Sequence, residues 1–443
     1  MFTNGGAVSK AGEISGGIRR PPASRQLNDA RVVPVLRSRS GSTRARALRP
    51  TIAGSDQTAQ LCAGDLMSFA LEKERRSSFA DTSFVEPLRR LISSLNNEAK
   101  LSAFGRRAAR FDIIRCLTNL LRLDAEEEKV PEIASRAIDR PVFIAGLPRS
   151  GTTFLHGLLA QDTGNAVPRC WQCIYPYPFR SRFPFGDWRK MQVALQLGIY
   201  RFIAPEVAEL HHVAADDPQE CSDITAHIFH SLRFDSMYHI PSYQAWVARR
   251  DHLDAYHFHK RFLRHLGRQQ PGRRWILKSP DHVFALDAIC AVYPDAAFVF
   301  LHRDPMTVLA SQLNLTAALR RSFASHFDLG EIGATVGEAI VETANRLVAR
   351  RKMARVLHLD FHSLIAAPLD AVRQVYEHAG MSLTPKASGR MSHWLRGQKP
   401  YCARPYRRDL SQFGLDPHNI AARFDRYLQA FDIARGRITA EAA

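Results

Sequence analysis

One stretch, PVFIAGLPRSGTTFLHGLLAQD from Pro141 to Asp162, constrains this chain more than any other. An apolar run from Val142 to Leu147 gives way at once to Gly, Pro, Ser and Thr, and then to Phe154, Leu155, Leu158 and Leu159 at helical spacing. The pattern predicts strand, tight loop and helix in succession. A loop that opens a helix leaves its first N–H groups unpaired and aimed outward, and the helix dipole adds partial positive charge there. Gly151 lets the backbone approach an anion closely, and Arg149 adds a formal charge. The spacing of Gly146 and Gly151 matches the nucleotide loop G-x-x-x-x-G-K-[ST], yet Thr152 stands where the lysine belongs. That lysine normally reaches terminal phosphates, so its absence argues for an anion other than a nucleoside triphosphate.

The same alternation returns later in the chain. Trp275 to Leu277 reads as a short strand ending in Lys278-Ser279-Pro280, and Ala297 to Leu301 as another ending in His302-Arg303-Asp304-Pro305, each followed by a helical pattern. A further strand is expected over Val356 to Phe361 and a helix over Leu364 to Ala379. Repeated β-α units predict an α/β fold with a parallel sheet flanked by helices and ligands at the carboxyl ends of the strands. Arg303 closes its strand and Ser311 lies about two turns into the next helix, so both side chains can grip one phosphate. His302-Arg303-Asp304 does not fit the kinase loop H-R-D-L-x-x-x-N, because Leu309 holds the asparagine position.

GLPRSGTT after one strand, LKSP after a second, and HRDP with a serine eight residues beyond the arginine resemble the P-loop sulfotransferases, in particular a bacterial branch with a helical preface and a D-P-x-E-C segment. The resemblance runs from about Cys62 to Tyr427. It implies a P-loop-type parallel sheet and, as co-substrate, 3′-phosphoadenosine 5′-phosphosulfate. On it, Arg149, Ser150, Gly151, Thr152 and Thr153 hold the 5′-phosphosulfate, and Arg303 and Ser311 the 3′-phosphate. Arg404 and Arg407, in a tail that resembles the family's closing segment, are candidates for added charge beside the 3′-phosphate.

Sulfuryl transfer asks for a deprotonated acceptor, charge stabilisation and in-line geometry. Lys278, at a strand's carboxyl end, is the candidate to neutralise the bridging oxygen. Among His211, His212, Asp216, Asp217 and Glu220, the first candidate for general base is Glu220 in the D-P-x-E segment, and the second is His212, whose ordinary pKa suits proton abstraction near neutrality. No metal is expected. The competing enzyme class is a P-loop NTPase or small-molecule kinase, against which Thr152 counts.

The formal net charge of +18 divides unevenly, with ten Lys or Arg and three acids in residues 1–60. That segment is rich in Gly, Ser and Arg and has no sustained periodicity, so a disordered arginine-rich tail is expected; an organelle transit peptide and a start assigned upstream of Met67 are the other readings. Residues 61–135 carry helical spacing (Val85, Leu88, Leu91, Ile92, then Phe111, Ile114, Leu117, Leu121) and form a helical preface to an α/β domain over 136–443. No basic stripe with interleaved aromatics stands out, so the charge points to an anionic cofactor rather than specific nucleic-acid binding. Seven thinly spread cysteines exclude a disulfide framework, and Cys170 and Cys173 read as buried thiols. No apolar run is long enough to span a membrane, and the N-terminus lacks a secretory core, which makes a cytoplasmic setting the expectation. The proline- and aromatic-rich stretch Pro168 to Arg189 is expected to be irregular, either lining an apolar acceptor pocket or covering a core edge. The acceptor, whether small molecule, lipid or sugar, is not readable, nor is the oligomeric state.

Overall fold

Five short apolar runs become the strands of one sheet: β1 (Val142–Gly146), β2 (Asn165–Ala166), β3 (Arg274–Lys278), β4 (Ala297–His302) and β5 (Val356–Asp360). They lie in the order β2-β3-β1-β4-β5, and every pairing is parallel. All five residues of β1 and all six of β4 are buried, as expected of strands covered on both faces. The computed structural model describes residues 60–177, 188–210, 213–398 and 409–433. The chain divides into two units, Met1–Ser55 and Asp56–Ala443, and all described residues fall in the second. The arginine-rich tail lies outside them, as do His211, His212, Arg404 and Arg407.

The alternation of side chains along each strand sorts the core into two layers. Val142, Ile144, Ile276, Val299 and Leu301 point to one side, where Leu155, Leu158 and Leu159 of α4 (Thr152–Leu159) meet them. Helices Pro368–His378 and Pro385–Arg396 complete that layer. Phe143, Ala145, Leu277, Phe298 and Phe300 point to the other side. There they join apolar residues of α1 (Ala63–Glu74), α2 (Val85–Asn97) and α3 (Ala103–Lys129), together with helices Leu253–Leu266 and Leu329–Ala349. The N-terminal helices therefore share a core with the sheet.

Three local expectations are corrected. The helix foreseen over Leu364 to Ala379 is two helices, Phe361–Ala366 and Pro368–His378, because Pro368 ends one hydrogen-bond ladder and starts the next. A five-residue helix, α5 (Cys170–Ile174), forms in the stretch expected to be irregular; Pro168 and Pro176 flank it and neither lies within it. Residues 178–187 of that stretch lie outside the description. Phe111 does not face the core of α3: the buried stripe runs through Ala109, Ile113, Leu117 and Leu120, leaving Phe111 57% exposed. Cys170 and Cys173 are buried thiols without a disulfide, and burial pushes Cys170 up to about 12. No helix of the described residues is long and apolar enough to cross a membrane.

Candidate active site

Between β1 and α4 the backbone passes through left-handed conformations at Arg149 (φ 63°) and Gly151 (φ 93°), a tight bend of the kind that turns successive N–H groups toward one point. Side chains disfavour that region, and Arg149 is held in it by its own contacts. Its Nε donates to Ser311 Oγ at 3.1 Å, and a terminal nitrogen donates to the Leu210 carbonyl at 2.9 Å. Its carbonyl accepts from Arg303 at 2.7 Å. Gly146 is required for another reason: at φ 141° a Cβ there would lie 2.3 Å from the Leu301 oxygen of β4. The loop is thus seated directly on the neighbouring strand.

β4 ends at His302, so Arg303 emerges beside the loop, nearly buried and with its guanidinium 4.1 Å from the centre of the Phe361 ring. The next residue, Asp304, caps helix Pro305–Phe323 by accepting from the N–H groups of Met306 and Thr307. Two turns along, this helix delivers Ser311 to Arg149. The two groups expected to grip opposite ends of one ligand are therefore joined through Arg149.

On the other side of β1, β3 delivers Lys278, which is 1% exposed. Its Nζ donates to Glu220 Oε1 at 2.6 Å and to Thr153 Oγ1 at 3.2 Å. Glu220 owes its place to the backbone. The neighbouring Cys221 N–H donates to the Lys278 carbonyl at 2.9 Å, and Gln219 N–H to the Pro168 carbonyl at 2.7 Å. The D-P-x-E segment is thereby pinned across the end of the sheet.

Arg149, Gly151, Thr152, Thr153, Lys278, Glu220, Arg303 and Ser311 all line one cavity of about 2470 Å³. Ser150 is fully buried and does not line it, because its hydroxyl donates to the Leu147 carbonyl at 2.6 Å. His212 lies outside the described residues. Away from the loop the cavity wall carries Phe111, Tyr238, Leu315, Leu319 and Phe323, interspersed with charged side chains such as Asp235 and Glu342. Tyr238 lines this cavity, whereas the nearby Tyr243 is core, donating to the Phe229 carbonyl. A volume of this size exceeds the ~300–1,000 Å³ of an ordinary small-molecule site and has room for more than one ligand.

Two features of the cavity went unforeseen. Asp281, three residues beyond Lys278, lines it with an enclosed Oδ2 that has no hydrogen-bond partner. Burial, aided by the nearby Glu220 carboxylate, pushes Asp281 up to about 7. Further along, Arg233 bridges Asp112 and Asp223, and Arg115 donates to Asp112 at 2.6 Å. Burial alone would raise the Asp112 carboxyl, but Arg233 and Arg115 hold it below the usual carboxylate range. The LKSPD string carried a signal for Asp281. Nothing in the sequence signalled a pairing between Asp112 and Arg233.

The profile of the sulfotransferase family matches residues 141–385, more than half of the chain. This chain belongs to the sulfotransferase family. Among solved structures, sulfotransferase STF1 of Mycobacterium tuberculosis is 30% identical with a TM-score of 0.72, over 83% of this chain and 99% of that one. Sulfotransferase STF9 of Mycobacterium avium is 27% identical with a TM-score of 0.76, over 86% and 99%. The omega-hydroxy-beta-dihydromenaquinone-9 sulfotransferases Stf3 of Mycobacterium bovis and Mycobacterium tuberculosis are 27% identical over 303 residues, which are 65% of this chain and 75% of theirs. The sheet of this sulfotransferase is accordingly the family's P-loop-type sheet, and its reaction requires a sulfuryl donor and an acceptor.

Proposed function

We propose that this enzyme moves a sulfuryl group from 3′-phosphoadenosine 5′-phosphosulfate to a hydroxyl of an acceptor with a large apolar body. The observation that carries the reading is the convergence of three adjacent strand ends on one cavity: β1 with the anion loop, β4 with Arg303, and β3 with Lys278. The loop N–H groups with Arg149, Thr152 and Thr153 bind the 5′-phosphosulfate; Ser150 contributes its backbone. Arg303 and Ser311 bind the 3′-phosphate. The threonine at position 152 suits this donor, which has no third phosphate for a lysine to reach.

In the transfer, the acceptor O–H proton passes to Glu220 as the acceptor oxygen bonds to sulfur. The bond from sulfur to the bridging oxygen breaks, and its electron pair stays on the departing phosphate. Lys278 meets the charge that develops there, in a site where burial makes one ammonium effective. To receive the proton, Glu220 exchanges its bond with Lys278 for one with the acceptor hydroxyl, which frees Lys278 for the leaving group at the same moment. His212 is the second candidate for the proton.

The large apolar side chains of the far wall support an acceptor whose hydroxyl lies at the end of a hydrocarbon body, and the relatives named for a hydroxylated dihydromenaquinone point to the same class. Incubating the enzyme with sulfur-labelled donor and a metabolite extract should place label in the organic-soluble fraction. Label confined to water-soluble products would overturn the acceptor reading. Calorimetry with adenosine 3′,5′-bisphosphate and with ATP plus magnesium tests the donor, since tighter ATP binding would overturn that part.

A further inference from the structure

Helix α6 (Arg189–Ile203) is apolar on the wrong side. Its inner face contributes Gln196, Leu197 and Tyr200 to the cavity wall and buries Val193 completely. Its outer face presents Met191, Leu195, Ile199, Phe202 and Ile203, with Phe202 89% exposed, Met191 68% and Leu195 65%. Half of the ten large hydrophobic side chains exposed among the described residues lie on this helix. Scattered exposed hydrophobics need no explanation, but a contiguous stripe does. The intervals from 191 to 195, 199 and 202 are four, four and three residues, so these side chains form one seam along the helix.

Charge decides what the seam meets. No charged residue occurs between Met191 and Tyr200. The cations sit at the ends, Lys190 and Arg201, eleven residues and so about three turns apart, on one flank of the helix between the stripe and the cavity wall, which Arg201 also lines. Lys190 pairs with Asp216 at 3.0 Å, while Arg201 donates to the Val213 carbonyl and has no carboxylate partner among the described residues. The protein as a whole carries +18. A second copy packed antiparallel on this helix would set Lys190 against Arg201 of its mate, two like charges at each end. Anionic headgroups would instead meet the cations while the seam enters the acyl boundary, the usual arrangement of a helix lying in a membrane interface.

We propose that the outer face of α6 docks this enzyme on the surface of an anionic lipid bilayer, with the cavity directly behind the docking helix. The inference stands on the exposed face and its charges and holds for any acceptor. Its test is co-sedimentation of the full-length protein with vesicles of phosphatidylcholine alone or mixed equally with phosphatidylglycerol. Binding is expected to favour the mixed vesicles and to weaken as salt rises. The double substitution Leu195→Glu and Phe202→Glu should lower binding at least tenfold without moving the thermal midpoint, since both side chains are exposed. Arg201→Glu should selectively lower binding to the mixed vesicles. Unchanged sedimentation of the double variant overturns the proposal and leaves residues 1–59 as the binding element, which their deletion would verify. A wild-type dimer that ignores vesicles and becomes monomeric in the double variant overturns it too, and makes the stripe a contact between copies. Neither readout depends on sulfuryl transfer, so a failure here is distinct from a failure of the proposed reaction.

Discussion

Replacing Arg303 by methionine separates two jobs of one side chain, one seen in the structure and one proposed. Its guanidinium, packed against the Phe361 ring, supports the anion loop through the 2.7 Å bond to the Arg149 carbonyl, and in the proposed complex it also holds the 3′-phosphate. The first job serves any ligand of the loop, and losing a hydrogen bond from a charged donor costs about 1.5–3 kcal/mol. A charge-assisted bond to the 3′-phosphate is worth about 1.5–3 kcal/mol, and this part is felt only by ligands that carry the group. Adenosine 5′-monophosphate should therefore weaken about 10- to 150-fold, and adenosine 3′,5′-bisphosphate by a further factor of about 10 to 150. Titration calorimetry of both nucleotides against wild type and variant measures the difference directly. Equal loss for the two ligands would refute the 3′-phosphate role and leave Arg303 as a support for the loop alone.

Two other variants test the chemistry and its setting. Glu220→Gln should lower kcat by about 10²- to 10⁴-fold, the usual worth of a general base, with bisphosphate affinity held within a few-fold; unchanged turnover in a steady-state assay would remove Glu220 from the mechanism. Asp281, pushed up to about 7, keeps its proton in the folded chain after the unfolded chain has lost it, so it lowers stability as pH rises from the ordinary carboxylate range to about 7. Asp281→Asn should then raise the thermal midpoint over wild type at pH 8 and leave it alike near pH 4, where a pH-independent shift would contradict the assignment.

The candidate site was legible because its signals are local and its assembly follows one rule. Gly146, Gly151, Lys278 and Arg303 each lie at or just past a strand end, and a parallel sheet gathers such ends on one side, so three separate strings of residues implied one site. The parts that escaped depend on distance or on direction. Asp112 and Arg233 lie 121 residues apart, and only the tertiary fold joins them. β2 has two residues, too few to leave a pattern. Helical spacing in α3 was visible, yet spacing reports that a stripe exists and not which way it turns. Phe111 looks like a core residue in the sequence and faces the cavity in the structure.

β2 ends at Ala166 and the adjacent β3 begins at Arg274, so more than a hundred residues are spent between two neighbouring strands. Most of the cavity's donor end comes from the sheet and the loops next to it, while this excursion supplies Glu220, α6 and Tyr238. Such a layout is modular. An enzyme engineer could graft the corresponding excursion from a relative between the same two strands and redirect the enzyme to a new acceptor, leaving the proposed donor grip on β1 and β4 in place. Lys278 and Glu220 mark the seam of such a graft, because their ion pair has one partner in each module and would have to be kept.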